Sequence, residues 1–170
     1  MRSGKRNKLI FFGIMDYEPN ILAVEYIIKN ILPELNKKYK IEIVGPKVSK
    51  KLKKLESNNL KFCGYVEAIK EKLSEADMFI CPIIAGSGVK NKILQAGEVG
   101  LPIVCTGLSL EGINNDIRQT AYIANNAEEF IQEIEKINNT DIKELKSRLE
   151  KQKEIIQKYN SIEMIEKILK

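Results

Sequence analysis

Six short apolar runs recur along this chain, and they read as continuous runs more than as alternations of apolar and polar residues. They are KLIFFG (Lys8–Gly13), IEIVG (Ile41–Gly45), LKFCGYV (Leu60–Val66), MFICPI (Met78–Ile83), PIVCT (Pro102–Thr106) and AYIA (Ala121–Ala124). Strands of that kind are buried on both faces, which is the pattern of a parallel sheet. The segments between them have helical spacing. From Ile21 to Leu35 the apolar positions are Leu22, Val24, Ile27, Ile28, Ile31 and Leu35, with Pro19 suited to a first helical turn. A lysine-rich short helix is predicted up to about Glu56, and further helices over Glu67–Ala76 and Val89–Val99. NAEEFIQEIEKI opens with Asn126 as a cap and acids in its first turn, which suits a helix N-terminus. Asp141–Tyr159 reads as helix, and Ser161 as the start of a last short one. The expected fold is therefore α/β: a doubly wound, Rossmann-like parallel sheet of about six strands, with C-terminal helices over 141–170. No linker rich in Gly, Pro or Ser divides the chain, so 1–170 reads as one domain.

Composition narrows the chemistry. The 170 residues contain no histidine, which excludes imidazole catalysis and the common zinc sites. The three cysteines, Cys63, Cys81 and Cys105, each lie inside an apolar run and read as buried free thiols of a reducing, cytoplasmic setting. No run approaches the ~18 apolar residues of a membrane span, and MRSGKRNK lacks the apolar segment of a signal peptide. A formal charge of +5 raises nucleic acid, a membrane surface or phosphorylated ligands as partners. The lysines are scattered and no aromatic platforms accompany them, so they read as solvated helix faces rather than a nucleic-acid surface.

In open parallel sheets a ligand sits beyond the carboxyl ends of the strands, where the topology changes direction. Several strands end there in Gly13, Gly45, Gly64 and Pro82, which lets a ligand approach the backbone. The segment Ala85-Gly86-Ser87-Gly88-Val89 joins a strand end to a helix start, so free amides and the positive helix end face the same place. Lys90 and Lys92 follow at once, against the helix dipole, which points to a bound anion. A plain connecting loop accounts for the same letters equally well. Neither the dinucleotide fingerprint nor a Walker loop is present.

Over roughly Leu9–Asn139 the chain resembles the C-terminal, nucleotide-sugar-binding half of the family 4, or group 1, GT-B glycosyltransferases. The resemblance is carried by FFGIMDYEPNILAVEYIIKNILPEL, IEIVGP, KFCGYVEAIKEKLSEADMFICPIIAGSGVKNKILQAGEVGLPIVCT and LEGI. Its most specific parts are G-x-G-x-K-x-K-I-L-x-A, then G-x-P-x-V-x-T, then EG. The resemblance implies that a nucleoside-diphosphate sugar is the substrate and that no cofactor or metal takes part. It implies that the diphosphate meets Gly86, Ser87, Gly88, Val89, Lys90 and Lys92, with Lys92 offsetting the leaving-group charge. The base would lie by Gly64, Tyr65 and Val66, Gly13 counts among the substrate-binding residues, and Gln95 would meet the ribose.

Four departures stand out. Gln95 and Ser87 occupy positions where the family usually carries glutamates, and the Gly13–Asn20 loop lacks the usual Arg and Lys. LQAGEVG replaces the more usual LEAMAxG, and the acceptor-binding N-terminal half has no counterpart in these 170 residues. The reading is the donor-binding half of a retaining glycosyltransferase in surface-polysaccharide synthesis, inactive by itself. Its partners are a nucleotide sugar and an N-terminal GT-B domain, with peripheral contact at the inner face of the membrane left open. The rival is a nucleotide-sugar-binding or partner domain that has lost turnover. A receiver-like module, more distant, needs an acidic cluster after its first strand that is absent here.

Overall fold

Each of the six apolar runs becomes a strand: β1 (Lys8–Phe12), β2 (Lys40–Val44), β3 (Leu60–Gly64), β4 (Met78–Cys81), β5 (Ile103–Cys105) and β6 (Tyr122–Ile123). All pair in parallel, in the order β3-β2-β1-β4-β5-β6. The computed structural model describes residues 6–86 and 90–168, with side chains for 6–86 and 91–160. The helices are α1 (Glu18–Tyr26), α2 (Lys50–Lys53), α3 (Ile69–Ser74), α4 (Lys90–Glu98), α5 (Asn115–Arg118), α6 (Ala127–Asn139) and α7 (Ile142–Ile168). Continuous apolar runs become strands here because both faces of the sheet are covered. Leu9, Ile10 and Phe11 in β1 and Phe79, Ile80 and Cys81 in β4 are all fully buried. Pro82 falls just outside β4, where no ladder hydrogen bond needs its missing N–H.

The caps behave as expected. Asn126 Oδ1 accepts from the Glu129 amide at 2.9 Å and caps α6, while the Glu129 carboxylate takes the N–H of the preceding Asn125 at 2.7 Å. Two readings need correction. The predicted break before Ser161 does not occur, and α7 is continuous from Ile142 to Ile168. Asn160 turns sideways and donates to Glu98 Oε1 on α4, so it neither caps nor stops the helix. Cys63 is only half-buried, unlike Cys81 and Cys105. The helix beginning at Glu18 passes into a π-helical turn over Ile27–Ile31 before it ends. Among the described residues no helix is long and apolar enough to cross a membrane.

Gly97 explains why the chain departs from the bulkier side chain more usual there. A Cβ at position 97 would lie 2.1 Å from Ile156 Cδ1, so the missing side chain is what lets α7 lie against α4. The fully buried Gln152 secures the same contact, its Nε2 donating to Leu101 O at 2.9 Å.

At the amino-terminal part of the sheet, Glu42 on β2 joins Lys72 at 2.8 Å and Lys8 at 3.4 Å, and Lys72 also reaches Glu75 at 2.8 Å. Burial by itself pushes the Glu42 carboxyl up. The hydrogen bond from Lys72 and the charges of Lys8 and Lys72 outweigh that and hold it below the usual glutamate range. A depressed folded-state value stabilises the fold above the unfolded carboxylate pKa of about 4.3 and is lost as pH falls through the folded value. Urea unfolding compared at about pH 6 and about pH 3 should therefore show less acid sensitivity in Glu42→Gln than in the unsubstituted chain. Equal acid sensitivity would remove Glu42 from the account.

Candidate functional site

The strand order places β1 between β2 and β4, so the connections leaving the carboxyl ends of β1 and β4 diverge. A crevice opens at such a point without any special sequence device. Here it is a cleft of about 510 Å³. One wall is the β1–α1 connection, with Gly13, Ile14, Tyr17 and Asn20. Pro46 after β2 and Tyr65, Val66 and Ile69 after β3 form the second wall, and Asn91 and Lys92 of α4 close the third.

The floor is bare backbone. Gly13 N–H donates to Val44 O at 2.9 Å, and Gly45 N–H donates to Gly64 O at 2.7 Å. Gly45 has φ +145°, and a Cβ there would lie 1.8 Å from Gly13 O. No L side chain fits between these two chain segments. The loops after β4 and β5 are tied below the surface by hydroxyls. Thr106 Oγ1 donates to Ile83 O at 2.6 Å, and Ser109 Oγ donates to Cys81 O at 2.8 Å.

Lys92 is the charged centre of the cleft. Its Nζ donates to Asn20 Oδ1 at 2.7 Å and stands 5.8 Å from the centre of the Phe11 ring. Among the described residues no carboxylate pairs with it, and burial pushes its ammonium pKa below the ordinary lysine value. A half-buried ammonium whose partners are all neutral favours an incoming anion, because part of its desolvation has already been met by the fold. The mouth around it is apolar and open: Ile14 is 50% exposed, Tyr17 47% and Tyr65 73%. Asp16, which the loop carries in place of a cation, is occupied by an ion pair with Lys47.

The cleft thus brings together four of the residues expected from sequence: Gly13, Tyr65, Val66 and Lys92. Gly64 lies just beneath it, with φ +67° and open space where a Cβ would stand. Gly86, at φ +94°, sits against Pro19, whose Cγ would be 2.4 Å from a Cβ there. Gln95 is half-buried one helical turn beyond Lys92 and does not line the cleft. Ser87, Gly88 and Val89, and the side chain of Lys90, lie outside the described residues. The residue that sequence reasoning missed is Asn20. Its only signal was a polar residue directly after Pro19 in a first helical turn, a place where an asparagine ordinarily faces water.

Comparison with known proteins bears on the family and the fold. The family model for glycosyl transferases group 1 matches residues 6–139. A search of curated proteins gave no match. Among solved structures, HepE of Anabaena, in complex with UDP and glucose, superposes with a TM-score of 0.73 at 14% identity, covering 96% of this chain and 48% of that one. WaaG, a glycosyltransferase involved in lipopolysaccharide biosynthesis, gives 0.66 at 16% identity over 90% of this chain and 43% of its own. The C-terminal domain of LpcC from Francisella tularensis, a glycosyl transferase group 1 family protein, gives 0.62 at 14% identity, covering 91% of this chain and 86% of that domain. The chain therefore spans less than half the length of HepE and WaaG but most of the LpcC C-terminal domain. Matched over most of its length, with a six-stranded Rossmann-like sheet and a cleft at the switch point, this chain belongs to the group 1 glycosyl transferases.

Proposed function

We propose that the chain is the donor-binding half of a retaining glycosyltransferase that takes a nucleoside-diphosphate sugar and serves surface-polysaccharide synthesis. The observation that carries this reading is Lys92, a half-buried ammonium with neutral partners facing the cleft beside β1. In sugar transfer the bond from the anomeric carbon to the diphosphate breaks, and negative charge grows on the departing phosphate oxygen. A cation held in place at the cleft wall stabilises that charge without the reorganisation that bulk water needs. Lys92 is assigned that role, with the amides of Ser87, Gly88 and Val89 and the Lys90 ammonium holding phosphate. The base rests near Gly64, Tyr65 and Val66, and Gln95, which does not line the cleft, is given no contact with the donor. The acceptor comes from an N-terminal GT-B domain facing the open mouth. The HepE complex makes UDP the natural first probe.

Titrating UDP into the labelled chain should shift the amide signals of Gly13, Tyr65 and Lys92. Lys92→Ala should weaken UDP binding about tenfold or more, since a charge-assisted hydrogen bond is worth about 1.5–3 kcal/mol. Shifts confined to the lysine-rich helix surfaces at millimolar UDP would place the site elsewhere.

A further inference from the structure

We propose that Asn20 is the positioning residue of this site, holding the Lys92 ammonium over the cleft floor through its side-chain amide. The inference rests on the reading of Lys92 as the donor's phosphate contact. Asn20 is only 2% exposed, although it lies in the first turn of α1, and its side chain caps nothing there. Both ends of its amide are used instead, one within its own wall of the cleft and one toward α4. Nδ2 donates to Ile14 O at 2.8 Å, and Oδ1 accepts from Lys92 Nζ at 2.7 Å. The orientation of the amide follows from those partners. A carbonyl accepts only and an ammonium donates only, so the NH2 must face Ile14 and the oxygen must face Lys92.

The seat of this amide is Gly13. A Cβ at position 13 would stand 2.6 Å from Asn20 Nδ2, 2.8 Å from Asn20 Cγ and 3.0 Å from Lys92 Cε. Gly13, Asn20 and Lys92 therefore form one packed chain of groups, contributed by the end of β1, the start of α1 and α4. The chemistry selects an amide at position 20. An aspartate would hold the ammonium equally near but would cancel its charge. An aliphatic residue would leave the ammonium without an acceptor in an apolar wall. An asparagine supplies a strong neutral acceptor and leaves the whole positive charge for a phosphate.

The test is a double-mutant cycle on the full chain, reading UDP affinity by calorimetry for the unsubstituted protein, Asn20→Ala, Lys92→Ala and the pair. Asn20→Ala alone should weaken UDP about tenfold, the scale of one charge-assisted hydrogen bond, and should cost nothing further once Lys92 is alanine. Equal losses in both backgrounds would reduce Asn20 to a structural role. An unchanged affinity in Asn20→Ala, with Lys92→Ala weakened, would overturn the proposal and leave the donor site standing. An unchanged affinity in Lys92→Ala would overturn the donor reading itself, and this proposal with it. A measurement on the unsubstituted chain keeps the test sharp should Asn20→Ala fold poorly. The Lys92 ammonium, identified by its loss in Lys92→Ala, should give a slowly exchanging nitrogen-15 signal that moves when UDP is added. Exchange as fast as that of exposed lysines would show that nothing holds it.

Discussion

Alanine at position 45 is expected to cost about 3–5 kcal/mol, enough to leave much of a marginally stable domain unfolded. The added Cβ would arrive 1.8 Å from Gly13 O, and the residue would keep φ at +145°. Neither backbone has room to yield. Gly13 is tied to Val44 O at 2.9 Å, and Gly45 itself to Gly64 O at 2.7 Å. Gly64→Ala is the matched control, since its φ is +67° and a Cβ there meets open space. That change should cost only about 1–2 kcal/mol, the ordinary left-handed penalty. Urea unfolding of the two variants checks the ranking. Similar losses would mean that the contact between the β1 and β2 ends is softer than its geometry implies.

The second large effect concerns turnover. The chain by itself is expected to transfer no sugar while still binding the proposed donor. Ile14, Tyr17 and Tyr65 stand exposed at the cleft mouth, so the donor's reactive carbon would face solvent. Orientation of two reactants in a closed site contributes up to roughly 7–11 kcal/mol, and one wall supplies little of it. Nucleotide release from several nucleotide sugars should be measured with the chain alone and with a co-expressed acceptor-binding half. Acceptor-dependent turnover by the chain alone would overturn the half-enzyme reading. Release that appears only with the added half would support it, and UDP binding without turnover in either case would favour a domain that has lost catalysis.

The sheet was legible because each strand is a short run that only a doubly covered position accommodates, and because Gly or Pro closes most of them. The ends of the strands were set one or two residues too long, since the residues beyond them stay apolar for the cleft rather than for the ladder. Val66, for example, follows β3 and lines the cleft. The short turns of helix at Leu108–Leu110 and Asn115–Arg118 carried too few periodic positions to be read. A break before Ser161 was expected because letters alone do not show that Asn160 bonds to Glu98 on α4. In the site, Lys92 was legible from its placement against the helix dipole. Asn20 was not, because its role depends on contact with Lys92, a residue far away in the chain. Gly97 read only as an oddity until Ile156 explained it.

The pairing of β1 with β4 has a kinetic consequence. Leu9 meets Met78 and Ile10 meets Phe79, across a much longer stretch of chain than any other strand pair closes. Loop closure of that length is the entropically costly event in assembling the sheet, so the two three-stranded halves have local partners before they find each other. The candidate site straddles that seam, with Gly13 and Asn20 on one side and Lys92 on the other. A nucleotide therefore finds no complete site until the seam has closed. It should slow the escape from the native state while leaving the rate of folding nearly unchanged, acting as a latch on a door that has already swung shut.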